Sequence, residues 1–413
     1  MTSVITRRKT CRMCSSRNLK LVFQMAPSPI GDAFITEKEI DHTQDLYPID
    51  LFMCQDCGLS QLTDIIDPNI LYKDYIYVTG SSFGLSEHFR SYAEDVVNQL
   101  SLPPGSLVVD IGSNDGTLLR FFKDHDMQVL GIDPASEIAQ NATRAGIETL
   151  PEFFTPDLAK KIRNEYGSAT LIVANNVFAN IDDLNTLGEG VRTLLADDGV
   201  FTFESFYLAD VIQNMVFDFI YHEHLSSFSV KPVQRFFECI GMELFDVKRV
   251  PTKGGSLRYF VQKADGPRAI ETALTSLIDF EEQLGLYSPK MFSTFSDTVD
   301  ELKAETHSLL QDLKAKGKHI AGFGASITGT TLIYHFGIGE FLDYLIDDNP
   351  AKQGRFSPGL HLPVFPSDAL YERKPDYVIV LAWRFVEPIV KKNNTYLEQG
   401  GHFIVPVPEV RII

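Results

Sequence analysis

Short apolar runs separated by helical patterns recur along most of the chain. Between residues 107 and 206 the runs "LVVDIG", "MQVLGID", "TLIVANNV" and "GVFTFES" each end in glycine, aspartate or another polar residue. Such alternation predicts the strands of a doubly wound parallel sheet. Just before it, "LSEHFRSYAEDVVNQL" carries Leu85, Phe89, Tyr92 and Val96 at helical spacing, which predicts a packing helix. "MELFDVKRV" and "SLRYFVQK" follow each other with no long crossover, as a closing antiparallel pair does. Residues 266 to about 315 are polar, glycine-poor and helical in pattern, and read as linking helices. Alternation then resumes in "KHIAGFGAS", "LDYLIDDNP", "PDYVIVLAW" and "HFIVPVP", predicting a second, smaller Rossmann-like domain. The expected fold class is therefore α/β, divided at 1–80, 81–265 and 266–413.

Composition supports several cores rather than one, because 413 residues exceed what a single hydrophobic core serves and 44% of them are hydrophobic. A formal net charge of -18 repels nucleic acid and anionic lipid surfaces, so neither is expected as a partner. The basic start "MTSVITRRKTCRMCSS" lacks a following apolar run, and no stretch approaches the length of a membrane span. A cytoplasmic protein is expected. Its five cysteines are then better read by spacing than as disulfides. Cys11-Cys14 and Cys54-Cys57 form two CxxC knuckles, a pattern that predicts one structural Zn2+ held by four thiolates. Four sulfur ligands leave no open position for chemistry, and Cys239 is expected to be a buried free thiol.

In "VVDIGSNDGTLL", residues 108–119, a strand ends in a glycine-rich turn that opens a helix. Gly112 and Gly116 permit close backbone approach, with Asn114 between them, while Asp110 and Asp115 place carboxylates near the turn. A pyrophosphate is repelled by those acids, whereas a sulfonium with an amino acid tail is not. Asp133 ends the next strand about twenty residues on, where a carboxylate accepts ribose hydroxyls. With Asn175 and Asn176 after the strand "TLIVA", the set favours S-adenosylmethionine over NAD and predicts a class I methyltransferase domain. A Rossmann unit that has lost its ligand is the alternative.

The segment "FIYHEHLSSFS", residues 219–229, follows the strand "GVFTFES", on the side of the sheet where open α/β folds bind ligands. Methylation at carbon needs a base of near-neutral pKa and a donor for the developing oxyanion, and histidine and tyrosine suit those tasks. Tyr221, Glu223 and His224 are thus candidate catalytic residues, with His222 more plainly a core residue. A metal bound by His222 and His224 is the competing view, though no third ligand is evident. Farther on, Gly322, Gly324 and Ser326 in "AGFGASITGTT" offer amides for a diphosphate, and Asp347 a carboxylate for ribose. Lys352 and Arg355, with Arg258 and Arg384 beside Trp383, are candidate counter-charges.

These pieces, in order, resemble the three-domain sugar C-methyltransferases of deoxysugar biosynthesis, which methylate C3 of a nucleotide-linked 4-keto-6-deoxysugar, as in tetronitrose formation. The paired CxxC knuckles, "LYKDYIYVTGSS", "VVDIGSNDGTLL", "YHEHLSSFS", "GGSLR", "IDDNPAKQGRFSPG" and "YVIVLAW" carry the resemblance over nearly the full length. It implies that His224 removes the C3 proton with help from Tyr221 and Glu223, and that Tyr75 or Tyr77 acts from the opposite face or bonds the 4-keto oxygen. It also implies a nucleotide-diphosphate keto-deoxysugar as substrate, and a monomer is expected. The chain departs from the family where Asn180 and Lys253 stand in place of usual histidines, and where "GASITGTT" replaces the familiar glycine loop. Another enolisable acceptor, or a zinc-ribbon protein whose Rossmann domains only sense ligands, are the competing functions. An RNA-modifying enzyme is disfavoured by the missing basic stripe.

Overall fold

Strands Leu19–Ser28, Tyr47–Cys54 and Ser60–Leu62 form the antiparallel sheet of the N-terminal module. This computed structural model describes residues 4–71 and 84–413, so Tyr75 and Tyr77 lie outside the described residues. The fourth strand of the sheet, Ser226–Ser227, comes from the middle domain and pairs antiparallel with Ser60–Leu62. The module is thus completed by a segment more than 150 residues away in sequence, directly after His224.

The middle domain is a seven-stranded sheet in the order Met242–Val250, Ser256–Lys263, Leu195–Phe206, Ala169–Val173, Leu107–Ile111, Gln128–Ile132 and Thr149–Leu150. Its pairings are parallel except those made by Ser256–Lys263, which runs antiparallel to both neighbours. The chain reverses direction across the sheet between Leu107–Ile111 and Ala169–Val173, where ligand crevices form in such folds. Helices begin where the sequence supplies caps: Thr155 accepts from the Leu158 amide ahead of Pro156–Tyr166, and Asp183 from the Thr186 amide ahead of Leu184–Leu194.

Helices Thr272–Gln283 and Pro289–Ala315 occupy the linking region. A six-stranded sheet follows, ordered Val364–Phe365, Tyr344–Ile346, Ile320–Phe323, Tyr377–Val380, His402–Val405 and Arg411–Ile412, with only the last pair antiparallel. One continuous apolar cluster runs from Phe23 and Leu51 through Phe217 and Phe292 to Phe336 and Trp383, so the modules share a core. Polar contacts reinforce it. Lys352 reaches Asp32 at 3.0 Å, Thr330 donates to the Gly31 carbonyl at 3.2 Å, and the Ala26 amide donates to His335 at 3.2 Å.

Candidate active site

The four cysteines of the two knuckles converge, with their sulfur atoms all within 4.8 Å of one another. Cys11 and Cys57 sulfurs are 3.5 Å apart, as are those of Cys14 and Cys54. Zinc–sulfur bonds of about 2.3 Å in a tetrahedron need edges of about 3.8 Å, so the cage fits the ion with small adjustment. Cys239 is exposed at the end of helix Val230–Cys239, not buried as expected, because the apolar face of that helix is carried by Val233, Phe236 and Phe237.

At the carboxyl end of Leu107–Ile111, Gly112 has φ +76° and lies so close to Val177 that a Cβ would strike it at 2.3 Å. Only glycine fits there. Gly116, at φ +74°, precedes helix Thr117–Asp124, and Asp115 accepts from both the amide and the hydroxyl of Thr117. Asp133 accepts from the amides of Asn114 and Ala135, each at 2.9 Å, which fixes its carboxylate at the rim. Burial raises the pKa of Asp110 well above the usual carboxylate range, and Asp133 adds to the shift. The Asn175 Oδ1 accepts from the Glu204 amide at 2.8 Å, and its buried Nδ2 has no partner among the described residues. Asn176 follows in a left-handed conformation, φ 59°. The glycine turn, the fixed rim carboxylate and an orphaned amide donor suit the ribose and amino acid tail of S-adenosylmethionine.

Beside this crevice lies a buried network that the sequence reading did not anticipate. Glu204 receives His88 Nε2 at 2.6 Å and Arg258 Nε at 2.7 Å, and the Arg258 guanidinium lies 3.8 Å over the Tyr92 ring. Burial opposes the charge on Glu204, but His88 and Arg258 together still lower its pKa. The signal is a charged residue inside a buried, phenylalanine-rich strand, "VFTFESF". Arg258, expected as a substrate ligand, is only 1% exposed and pairs with this acid.

Strand Leu195–Phe206 continues two residues beyond Glu204 to Phe206, whose ring stacks on His224 at 4.6 Å. Tyr221 covers the imidazole from 4.0 Å. His224 Nδ1 donates to the Phe219 carbonyl at 2.7 Å, an assignment fixed by the acceptor, so Nε2 keeps its lone pair. Burial pushes the His224 pKa down to about 3, far from the near-neutral value expected. Burial is the main cause, Lys253 nearby disfavours a second positive charge, and among the described residues no carboxylate bonds the ring to offset them. His222 serves structure instead: its Nε2 donates to the Tyr47 carbonyl at 3.1 Å, and burial lowers its pKa to about 4. Glu223 is buried and its pKa is raised to about 8, by desolvation first and then by Asp32 of the N-terminal module. Asn180 ends the short turn Phe178–Asn180 beyond the Asn175 strand end.

The C-terminal domain contributes from the other side. Trp383 Nε1 and Arg384 both donate to Asp218, at 3.0 Å, tying the domain to the segment before Tyr221. A cleft of about 600 Å³ opens there, lined by Asp210, Arg249, Gly254, Trp383 and Arg384. Ser326 caps helix Ile327–Phe336 by accepting from the Gly329 amide at 3.0 Å. Asp347 accepts from the amides of Ala325 and Asn349 at 2.7 and 2.8 Å. Gly322 lies within a strand where a Cβ would strike Leu345 and Leu381, and Gly324 packs on Ala382, so both serve close packing. Lys352 is spent on Asp32 and on the Ala325 carbonyl.

Three family profiles match the chain: a zinc binding domain at residues 11–72, a methyltransferase domain at 85–247 and a C-methyltransferase C-terminal domain at 251–408. The chain is 31% identical over 404 residues to the C-methyltransferase NovU of Streptomyces niveus, covering 98% of this chain and 96% of that protein. Among solved structures, an S-adenosylmethionine-dependent methyltransferase from Clostridium acetobutylicum covers 48% of this chain and 96% of its own at 13% identity and a TM-score of 0.34. The plantazolicin methyltransferase BpumL, solved with a triazolic substrate analogue and SAH, covers 45% of this chain and 87% of its own at 12% identity and a TM-score of 0.36.

Proposed function

The chain belongs to the C-methyltransferase family and is an S-adenosylmethionine-dependent enzyme, and from that premise we propose that it methylates C3 of a nucleotide-diphosphate 4-keto-6-deoxysugar. The observation that carries this reading is the imidazole of His224, held by its Nδ1–H bond to Phe219 with Nε2 unprotonated. Carbon beside a carbonyl is methylated only after it loses a proton, and a fixed neutral imidazole can take it. His224 Nε2 accepts the C3 proton, and the C–H electron pair moves into a C3–C4 double bond while the carbonyl oxygen becomes negative. Tyr221 orients the imidazole, and Glu223, protonated at neutral pH, offers a hydrogen bond. Asn180 donates a further hydrogen bond, while Tyr75 or Tyr77 serves the opposite face of the sugar.

Asp110, Gly112, Asn114, Gly116, Asp133, Asn175 and Asn176 would hold S-adenosylmethionine, which supplies an electrophilic methyl group. Arg384 and Trp383 face the nucleotide, with Ser326, Gly322, Gly324, Asp347 and Lys352 shaping its bed and Arg258 acting through Glu204. The zinc is structural. The same reading makes the protein a cytoplasmic monomer in the biosynthesis of deoxysugars, without nucleic acid or membrane partners. The net charge of -18 supports the last point, and among the described residues no helix is long and apolar enough to cross a membrane.

Incubation with methyl-labelled S-adenosylmethionine and thymidine-, guanosine- and cytidine-diphosphate 4-keto-6-deoxysugars tests the proposal. One of them should retain label on C3. His224→Ala should lower turnover by about a hundredfold or more while cofactor affinity stays the same. Label found on oxygen or nitrogen, or undiminished turnover by His224→Ala, would refute it.

A further inference from the structure

A base that removes a proton beside a carbonyl is half of an active site. The other half is a donor that meets the oxygen on which negative charge appears. His224, Tyr221 and Glu223 supply the base side, and the turn Thr252–Gly254, whose Gly254 lines the cleft beside Trp383 and Arg384, leads into strand Ser256–Lys263. We propose that Lys253 is the electrophile of this site: its ammonium hydrogen-bonds the carbonyl oxygen of the keto substrate and holds the charge that develops there as His224 takes the neighbouring proton. This rests on the reading above and adds a residue to it.

Its backbone is the first observation. Lys253 has φ 57° and ψ 26°, the left-handed region that suits glycine or asparagine but strains a lysine. The surroundings enforce that conformation. The Gly255 amide and the Ser256 hydroxyl both donate to the Thr252 carbonyl, at 2.9 and 3.0 Å, and Asn214 donates to the Gly254 carbonyl at 3.0 Å. The Tyr207 amide donates to the Gly255 carbonyl at 3.1 Å, so the turn is stitched to the end of the strand that carries Glu204. A long cationic side chain kept at a position where asparagine is easier is the pattern expected when function sets the residue.

The charges around it are the second observation. The turn itself packs on the C-terminal domain, with Gly254 against Arg384 and lining the cleft beside Trp383, and the Lys253 ammonium is within electrostatic reach of Glu204, Glu223, His224 and Arg384. Among the described residues none accepts a hydrogen bond from its Nζ, and the residue keeps part of its surface open. Its three donors are therefore uncommitted among the described residues, in contrast with Lys352, which is held by Asp32 and Ala325. A carbonyl oxygen and the hydrogen on the adjacent carbon are separated by only a few bonds, so base and electrophile must flank one small unit. Lys253 lies close enough to His224 to disfavour protonation of its ring, which is in keeping with that requirement.

The test uses the full-length zinc-loaded protein and whichever thymidine-, guanosine- or cytidine-diphosphate 4-keto-6-deoxysugar the wild type turns over. Lys253→Asn keeps the left-handed turn comfortable and removes the ammonium. It should melt at the same temperature or higher, bind S-adenosylmethionine unchanged, and lose about a hundredfold or more in kcat with KM within threefold. Lys253→Met should behave likewise in turnover, and Lys253→Arg should recover to within about tenfold of wild type. With S-adenosylhomocysteine in place of the methyl donor, wild-type protein in D2O should exchange the C3 hydrogen, and Lys253→Asn should slow that exchange by the same factor as kcat. A folded Lys253→Asn with unchanged kcat overturns the assignment, and one with a raised KM alone makes Lys253 a phosphate anchor instead. If the wild type turns over none of the sugars, the substrate reading fails first and Lys253's role falls with it.

Discussion

A neutral buried imidazole takes a proton only when the resulting cation finds compensation close by. Among the described residues no carboxylate bonds the His224 ring, so in the proposed reaction compensation comes from the enolate oxygen that forms at the same moment. With its pKa at about 3, His224 stays unprotonated through the physiological range and adds no acid limb to the rate profile above that value. The basic side is different. Burial lowers the Lys253 pKa to about 8, against Glu204 and Glu223 that raise it and Arg384 that lowers it further. The protonated form is the active one, so kcat/KM should fall as pH rises through about 8, and in Lys253→Arg that fall should move to higher pH. A profile measured from pH 6 to 10 checks this, and a limb unmoved in Lys253→Arg would assign it to Glu223, whose pKa is also about 8. Stability carries its own signature. His222 and His224 are neutral in the fold but charge in the unfolded chain, so the unfolded state binds more protons below about pH 6.5 and stability should decline as pH drops from there. Glu204→Gln would leave Arg258 buried beside a neutral amide, a loss of about 3–5 kcal/mol in urea unfolding.

Elements long enough to show a period were legible, and elements defined by a partner were not. The helix Leu85–Leu100 follows from Leu85, Phe89, Tyr92 and Val96 on one face, and the strands ending at Ile111 and Ile132 from their apolar runs. The strand Ser226–Ser227 has two residues and no pattern; it exists because the edge of the N-terminal sheet lies against it. The same limit hid His88, which shares a helix face with Phe89 and Tyr92 and reads as one more core residue until Glu204 is placed opposite. The linking helix Thr272–Gln283 is more than a spacer. Its Glu281 is fully buried, accepts from the Val230 amide at 2.6 Å and the Tyr207 hydroxyl at 2.8 Å, and also receives Tyr287. It therefore caps helix Val230–Cys239 from outside and pins it to the strand that leads to the site. Glu281→Ala strands those donors and should cost about 1–3 kcal/mol per orphaned group, seen as a lower melting temperature. Glu281→Gln, which keeps an acceptor oxygen, should recover part of it.

At the scale of the molecule, the N-terminal knuckles reach the segment that carries His224 through one arginine. Arg12 sits between Cys11 and Cys14, is fully buried, and donates from Nη1 to the Leu225 carbonyl at 3.2 Å, the residue immediately after His224. Its Nε faces Asp182 at 2.9 Å, which Arg8 also reaches at 2.8 Å, just beyond the Asn180 turn. Zinc bound by the flanking thiolates fixes the loop that aims this guanidinium, so metal removal should free it and with it the strand pairing at Ser226–Ser227. Incubation with a strong chelator should then abolish turnover, lower the main calorimetric transition of the whole chain, and weaken S-adenosylmethionine binding much less, because the glycine turn and Asp133 belong to the far part of the middle sheet. Added zinc should restore all three. A separate small transition for the N-terminal module, with turnover intact, would mean that the module is an appendage whose grip on His224 has no bearing on catalysis. The shared core argues against that outcome, since Phe23 packs on Phe295 at 5.1 Å and the sheet it belongs to is closed by the strand that follows His224.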